Sequence, residues 1–243
     1  MTSVLLFTGL VVQAFAGGEA EFQAANTAIA QNDMAKAEAH YRAALAAGGI
    51  DADVYYNLGN VLYRQEKLGP AILAWRRALA LAPRDPDAAA NLDFARRSVR
   101  DDVTAADPYP VWAPWQSALT AAEGQWIGGA LLGAGLLVLA LRGRSAHAPL
   151  AAIGGVLSGL GCVVGMGGIL EAGLPPGGVV LAEEATAQSD LGGGVELFTL
   201  HVGAEVQIVE AAAGQVLVAL GDGRRGWLPE AAVGRIDPWA QLP

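Results

Sequence analysis

The chain has 243 residues, but 53% are hydrophobic, 32 are glycine and mean hydropathy is +0.36, values that exclude a wholly water-soluble globule. A net charge of −9 with only 15 scattered Lys and Arg residues excludes a nucleic-acid partner, because phosphate binding draws on clustered cations. The single cysteine, Cys162, excludes an intrachain disulfide and a thiolate metal site, and in its apolar run it is expected to pack as a small hydrophobe.

Residues 1–16 read as a signal peptide. An apolar run over 4–12 leads to Ala14-Phe15-Ala16, a small-x-small site with cleavage expected after Ala16. The run is shorter than the roughly 20 residues a bilayer span needs. No Lys or Arg precedes it, so the usual basic leader is missing; a buried N-terminal helix is the alternative.

Residues 18–100 carry apolar side chains at helical spacing, with breaks at Asn32-Asp33, Gly48-Gly49, Lys67-Leu68-Gly69-Pro70 and from Pro83 to Pro86, which predicts five helices. A shift of 34 residues brings Ala37, Tyr41 and Ala44 onto Ala71, Trp75 and Ala78, the period of a helix-turn-helix repeat. Tyr55, Leu58, Gly59, Leu62, Ala71, Trp75, Ala78 and Pro83 resemble the tetratricopeptide repeat. The first copy is degenerate, with Glu21, Ala24, Ala25 and Gly49 at the equivalent places. Small alanines let paired helices approach, and Pro83 ends the second helix because it has no amide hydrogen to donate. After two repeats, a helix bearing Asp87, Asp93, Arg96, Arg97 and Arg100 suits a polar cap over the open end of the stack. Two repeats make a marginal solenoid, so added stability is expected from a partner or from packing near a membrane.

The tetratricopeptide resemblance implies that the first helix of each pair lines a concave face. Asn26 and Asn60 fall there at equivalent positions, with Tyr56, Asn57, Tyr63, Arg64, Asn91, Phe94 and Arg97. Amides so placed can hold an extended peptide by its backbone, and Arg64 and Arg97 can pair with a carboxylate. A merely solvated polar surface is the competing reading of the same residues.

Residues 101–123 form a linker broken by Asp107-Pro108-Tyr109-Pro110. Its Trp112 and Trp115, with Trp126 behind them, read as an interfacial aromatic belt in preference to a ligand platform. Residues 124–171 follow as a transmembrane hairpin with spans at 126–141 and 149–170, since 124–141 and 148–170 contain no charged residue. The first span is short, so Gln125 and the stem of Arg142 are expected to help it reach. Glycines four apart, at Gly129 and Gly133, Gly155 and Gly159, and Gly161 and Gly165, would let the helices approach. Gly159-x-Gly161 is not a dinucleotide fingerprint, because no strand precedes it. Arg142, Arg144 and His147 lie between the spans and Glu123 and Glu171 outside them, which makes the short loop cytoplasmic and the flanking segments periplasmic.

From residue 177 to 237 the period becomes that of strands. Strands are expected at 195–200, 205–209 and 216–220, with a turn through His201-Val202-Gly203 and a hairpin at Asp222-Gly223, about five strands closing into a small barrel. Val179-Val180-Leu181-Ala182, Phe198-Thr199-Leu200-His201-Val202-Gly203 and Asp222-Gly223-Arg224-Arg225-Gly226-Trp227-Leu228-Pro229 resemble bacterial SH3-like domains. Such domains usually carry a Trp where this chain has Gln215, so Trp227 is read as barrel packing ahead of a ligand contact.

The fold class is thus multidomain: an α-helical repeat solenoid, a two-helix transmembrane hairpin and a C-terminal SH3-like β-barrel. That order is similar to the BatE-type proteins of Bacteroides aerotolerance operons. Such proteins are encoded beside von Willebrand A-domain membrane proteins and a MoxR-type ATPase, so the resemblance implies a part in an envelope complex linked to stress tolerance, with A-domain proteins as partners, and it brings no catalytic residue. His40, His147 and His201 sit in no H-x-x-x-H pattern, and no G-x-S-x-G, phosphate loop, cofactor or metal motif occurs. The leading expectation is a non-enzymatic inner-membrane scaffold that binds periplasmic segments of membrane partners. A peptidoglycan receptor acting through the SH3-like domain and an accessory subunit of a membrane enzyme complex are the alternatives.

Overall fold

The computed structural model describes residues 18–101, 120–141, 148–165 and 176–239. The expected signal peptide, Trp112, Trp115 and most of the linker, and the loop with Arg142, Arg144 and His147 lie outside the described residues. The chain forms two compact units, one built from residues 1–106 together with 175–243 and the other from 107–174.

The first unit begins with five helices at the expected breaks: α1 (18–30), α2 (Met34–Ala46), α3 (Ala52–Arg64), α4 (Leu68–Leu81) and α5 (Pro86–Arg96). Local chemistry sets their ends. The Asp51 carboxylate caps α3 through the Asp53 amide, with Asp53 in the first turn and Arg64 in the last, both favourable to the helix dipole. Asp85 caps α5 ahead of Pro86, whose missing N–H costs nothing in the first turn. Leu68-Gly69-Pro70 was expected to break the chain but lies inside the first turn of α4, where proline is tolerated for the same reason.

The two helix pairs repeat one another in detail. Asn32 and Glu66, 34 residues apart, both take a left-handed turn at φ 58° and 63°. In the bonds that close these turns, the amides of Asp33 and Lys67 donate to the carbonyls of Ala28 and Leu62. Gly59 lies so close to Trp75 that a Cβ there would stand 2.6 Å from the indole nitrogen. In the first copy the smaller Tyr41 replaces Trp75 and Ala25 replaces Gly59, and both are fully buried. Where Tyr55 packs in the second copy, the first has Glu21, which pairs with His40 at 2.7 Å.

The C-terminal part of the same unit is an antiparallel sheet of seven strands: β1 (Gly177–Val180), β2 (Glu184–Gln188), β3 (Glu196–His201), β4 (Glu205–Ala212), β5 (Gln215–Ala219), β6 (Arg225–Pro229) and β7 (Val233–Arg235). Their order is β3-β2-β6-β5-β4-β1-β7. This corrects the expected closed five-stranded barrel, because β3 and β7 are edges that do not pair and the sheet is open. The two unexpected strands are short: β2 reads Glu-Ala-Thr-Ala-Gln, with little β-branched content, and β7 is three residues long. Gly203 and Gly223 hold the two expected turns at φ 87° and 89°. The sheet core gathers Val180, Ala187, Leu200, Val206, Val216, Val218 and Leu228.

The sheet packs on α4 and the end of α5. A Cβ on Gly69 would come within 2.8 Å of the Val180 carbonyl, one on Gly203 would meet Ile72 and Val99, and one on Gly234 would strike Leu73. Val179 belongs to the helical core, flanked by Leu181 and Ile236. Of the residues expected to form a polar cap, Arg96 reaches Glu205 of β4, while Asp87, Asp93, Arg97 and Arg100 are exposed on and just after α5.

The second unit consists of α6 (Ala121–Leu141) and α7 (Ala148–Gly165). Helix α6 starts well before residue 126, inside the expected linker, because Thr120 and Glu123 form a reciprocal capping box in which each backbone amide donates to the other's side chain, at 3.0 and 3.2 Å. Residues Glu123–Leu141 are long and apolar enough to cross a membrane by length and composition; in α7 only Ala151–Gly165 is apolar, which is shorter than that. The pair is antiparallel and touches through glycines. A Cβ on Gly128 would lie 2.5 Å from Gly165, one on Gly161 2.5 Å from the Leu132 nitrogen, and Gly135 sits against Ser158 and Gly154. The contact glycines are seven apart on each helix, 128 and 135 against 154 and 161. Gly129, Gly133, Gly155 and Gly159, expected at the contact, instead have nothing within 4 Å. Cys162 is also exposed, contrary to its expected packing.

Candidate functional site

The first helices of the two pairs and α5 present one face, and the structure assigns its residues different tasks. Asn26 Oδ1 accepts from the Tyr41 hydroxyl at 2.6 Å. One repeat later, Asn60 Oδ1 accepts from Trp75 Nε1 at 3.2 Å and also from Asn91 Nδ2 at 2.8 Å. Both carbonyls serve as fixed acceptors for the buried aromatic of the second helix, a 15-residue bond copied by the 34-residue period. This anchors amides that were expected only to face a ligand. All three asparagines remain half-buried, so part of each is reachable from the open side.

Beside them Tyr63 packs between Trp75 and Phe94, with ring centroids at 5.7 and 6.1 Å, the second edge to face. Phe94 is 58% exposed, whereas Ala88, Leu92 and Ala95 of the same helix are buried. Arg64 is exposed with no hydrogen-bond or ion-pair partner among the described residues, whereas Arg97 is held by Asp93 one turn earlier. Two expected members do not join the group. Tyr56 packs against the helical core, and the Asn57 amide donates back to the Asp53 carbonyl of its own helix at 2.9 Å.

Trp227 lies elsewhere, on β6. Its neighbours Gly226 and Leu228 are buried in the sheet core and Trp227 is half-buried on the other face, because side chains alternate along a strand. Its cross-strand partners are Leu217 and Gln188. Gln215, where a second tryptophan was considered, accepts from the Gly192 amide at 2.7 Å and so ties the β2–β3 loop to β5.

The polar seam between sheet and helices was not anticipated. Arg77 is 1% exposed, donates through Nε and an η nitrogen to the Arg235 carbonyl, and lies 5.8 Å from the centre of the Tyr55 ring. Burial lowers the pKa of its guanidinium from the ordinary value, opposed by Tyr55 and Asp237. The Tyr55 hydroxyl donates to the Pro238 carbonyl, and burial raises the pKa of that phenol. Glu205, 7% exposed, sits between Arg76 at 3.1 Å and Arg96 at 2.6 Å. The bond to Glu205 raises the Arg96 pKa. Asp101 receives both the backbone amide of His201 and its Nδ1, the latter at 2.9 Å. One signal was available in the sequence: Arg77 falls four residues after Leu73 and four before Leu81, on the apolar stripe of α4, where an arginine needs a buried partner.

With this geometry in place, a model of the tetratricopeptide repeat family matches residues 52–85, from the first residue of α3 to the cap of α5. No curated protein matches the chain. The chain carries a tetratricopeptide repeat, a module that mediates protein–protein interaction, followed by a C-terminal antiparallel sheet.

Proposed function

We propose that the chain is a non-enzymatic, membrane-anchored scaffold that holds an extended segment of a periplasmic or membrane partner on the face of Asn26, Asn60, Tyr63, Arg64, Asn91 and Phe94. One observation carries this reading. The sheet docks on α4 and the end of α5, so the repeat spends its other surface on its own chain, while the face with an unpartnered Arg64 and a largely exposed Phe94 stays open. Arg64 supplies charge for a carboxylate and the aromatic pair supplies apolar contact.

The apolar insert serves as a two-span hairpin in this reading. Residues on both sides of it build a single compact unit, and such a body lies on one side of a membrane. The number of crossings is then even, which asks α7 to span along with α6. Its glycine contacts support this, because helices in lipid associate through close backbone approach. The cations Arg142 and Arg144 between the helices favour a cytoplasmic loop, with the repeat and the sheet in the periplasm. The sheet is proposed as SH3-like on the strength of its Asp222 to Pro229 hairpin, and the whole as a Bat-like envelope component whose partners are von Willebrand A-domain proteins.

Co-purification from detergent-solubilised membranes is expected to recover A-domain proteins with the wild-type chain and to lose most of them with Arg64→Ala. Equal recovery from both chains removes the concave face from the reading. Single cysteines at Ser145 and Asp190 test the anchor: an impermeant thiol reagent applied from the periplasmic side is expected to label position 190 and spare 145, and the reverse pattern overturns the topology.

A second reading, peptidoglycan binding, draws on one observation. Trp227 lies on the outer face of the sheet with Leu217 and Gln188 across from it, an arrangement that can stack on a sugar ring. Sedimentation of the full chain with purified cell wall, lost on Trp227→Ala, would favour it.

A further inference from the structure

We infer that the outer edge of β3 is a second interaction surface, separate from the repeat face, which takes an extended partner segment of alternating basic and apolar residues as an added strand. The sheet is open, and its two edges differ. At β7 the chain closes its own edge. The Arg235 carbonyl accepts from Arg77, the Val233 amide donates to the Glu230 carbonyl, and Gly234 lies against Leu73 of α4.

At β3 the register shows which main-chain groups point away from β2. Antiparallel partners alternate between pairs that exchange both main-chain bonds and pairs that exchange none. The Val202 amide donates to the Glu183 carbonyl, so Val202, Leu200 and Phe198 face β2, while His201 and Thr199 turn their amides and carbonyls outward. The Thr186 and Thr199 hydroxyls, 3.2 Å apart, fit the closer spacing of a pair without main-chain bonds. Past the bulge, where Leu197 is the extra residue, the Ser189 amide donates to the Val195 carbonyl, which makes Glu196, opposite Gln188, the next outward residue. His201 is already satisfied, its amide by the Asp101 carboxylate and its carbonyl by the Ala204 amide. Thr199 and Glu196 are left, both exposed, and no strand among the described residues lies beyond them.

Donors and acceptors alternating along an edge are met by another extended main chain. The side chains then select its composition. Val195 and Leu197, 72% and 49% exposed, offer apolar contact. Glu183, Glu184, Asp190 and Glu196 are exposed on this strand pair and its hairpin loop, against Arg100 at one end and Arg224, which is held by Asp222. The excess of carboxylates favours Lys or Arg in the added strand. It disfavours a second copy of this chain. Pairing about a two-fold at Thr199 would set Glu196 of each copy against the Asp101 and Glu184 end of the other, like charge on like charge.

The experiment titrates the full chain in detergent micelles with labelled Lys-Val-Lys-Val-Lys-Val and Glu-Val-Glu-Val-Glu-Val. The basic peptide is expected to bind at least about tenfold tighter, and Thr199→Pro to weaken it about tenfold or more. Proline at 199 removes the outward N–H and leaves the main-chain bonds to β2 and every charge in place, so adsorption by charge alone would survive it. Thr186→Ala removes the same hydroxyl pair away from the edge and is expected to change binding less than about twofold. Equal affinity for the two peptides, indifference to Thr199→Pro, or equal loss with Thr186→Ala overturns the inference. If Thr199→Pro does not fold, hydrogen exchange on the unsubstituted chain decides: slower exchange at the Thr199 and Glu196 amides with the basic peptide bound supports the edge, and unchanged exchange overturns it. Self-association of the chain alone that Thr199→Pro abolishes makes a second copy the occupant and overturns the basic strand.

Discussion

The two kinds of helix pair in this molecule are held together by opposite means. In the repeats, α3 and α4 bury Tyr55, Leu58, Leu62, Ile72 and Trp75, with one glycine under the indole and charged residues outside. In the insert, α6 and α7 meet at glycines while Trp126, Leu136, Leu137, Leu141, Val156 and Leu160 point outward, each more than half exposed. Water rewards the first arrangement, because removing large apolar surface from solvent is the main driving force there. In the membrane setting proposed for the insert, lipid would remove that incentive, and close backbone approach would take its place. The same residue, glycine, makes room for a large side chain in one pair and for another backbone in the other.

The sharpest break in the comparison is Trp75→Ala. It leaves a cavity under Gly59 and Tyr63 and takes from the Asn60 carbonyl one of its two donors, so a loss of about 3–5 kcal/mol is expected, read by denaturant unfolding followed by circular dichroism. A loss under 1 kcal/mol would mean that the repeat does not depend on its indole.

Next in size is an alkaline effect confined to the repeats. Burial pushes the Tyr41 phenol up to about 12 from an ordinary value of 10. The neutral form is thus favoured by folding. Its contribution, about 2–3 kcal/mol, is complete below pH 10 and is lost as pH rises from 10 towards 12. Tyr41→Phe is expected to flatten that part of the stability profile, although Tyr55, also shifted upward, preserves some slope. An unchanged slope would show that Tyr41 is not the group responsible.

Smaller again is Gly128→Ala in the insert, where the new Cβ meets the backbone of Gly165, which has no rotamer to yield. About 1–3 kcal/mol of helix pairing is expected to go, measured by detergent titration of a fluorophore pair across α6 and α7. The neighbouring Gly129→Ala meets nothing within 4 Å and is expected to change pairing by less than about 0.5 kcal/mol. Equal effects at 128 and 129 would refute the seven-residue register.

Much of the helical architecture was legible because it is local and periodic. The 34-residue shift located both helix pairs, and caps such as Asp51 and Asp85 lie where the breaks suggested. The hairpin turns at Gly203 and Gly223 were legible for the same reason, since a positive φ selects glycine at a fixed place. Of the glycine pairs expected between α6 and α7 only Gly161 and Gly165 meet the other helix, because 32 glycines offer many four-residue pairs, and only the rotation of one helix against the other decides which of them touch. In the candidate site the residue types were found, but not their tasks. Asn57 and Asn60 are the same side chain on one helix face, yet one bonds its own backbone and the other anchors a tryptophan.

By itself the amino-acid sequence determined the helix pairs, the apolar insert and the strand-rich end, since each follows from hydrophobic period, turn residues and composition over short stretches. Tertiary structure alone decided that residues on both sides of the insert form one unit, with the sheet sealing the repeats through Glu205, Arg77 and three glycines. The physical reason is distance along the chain. Glu205 and Arg96 are 109 residues apart, and neither residue's surroundings in sequence carry a sign of the other.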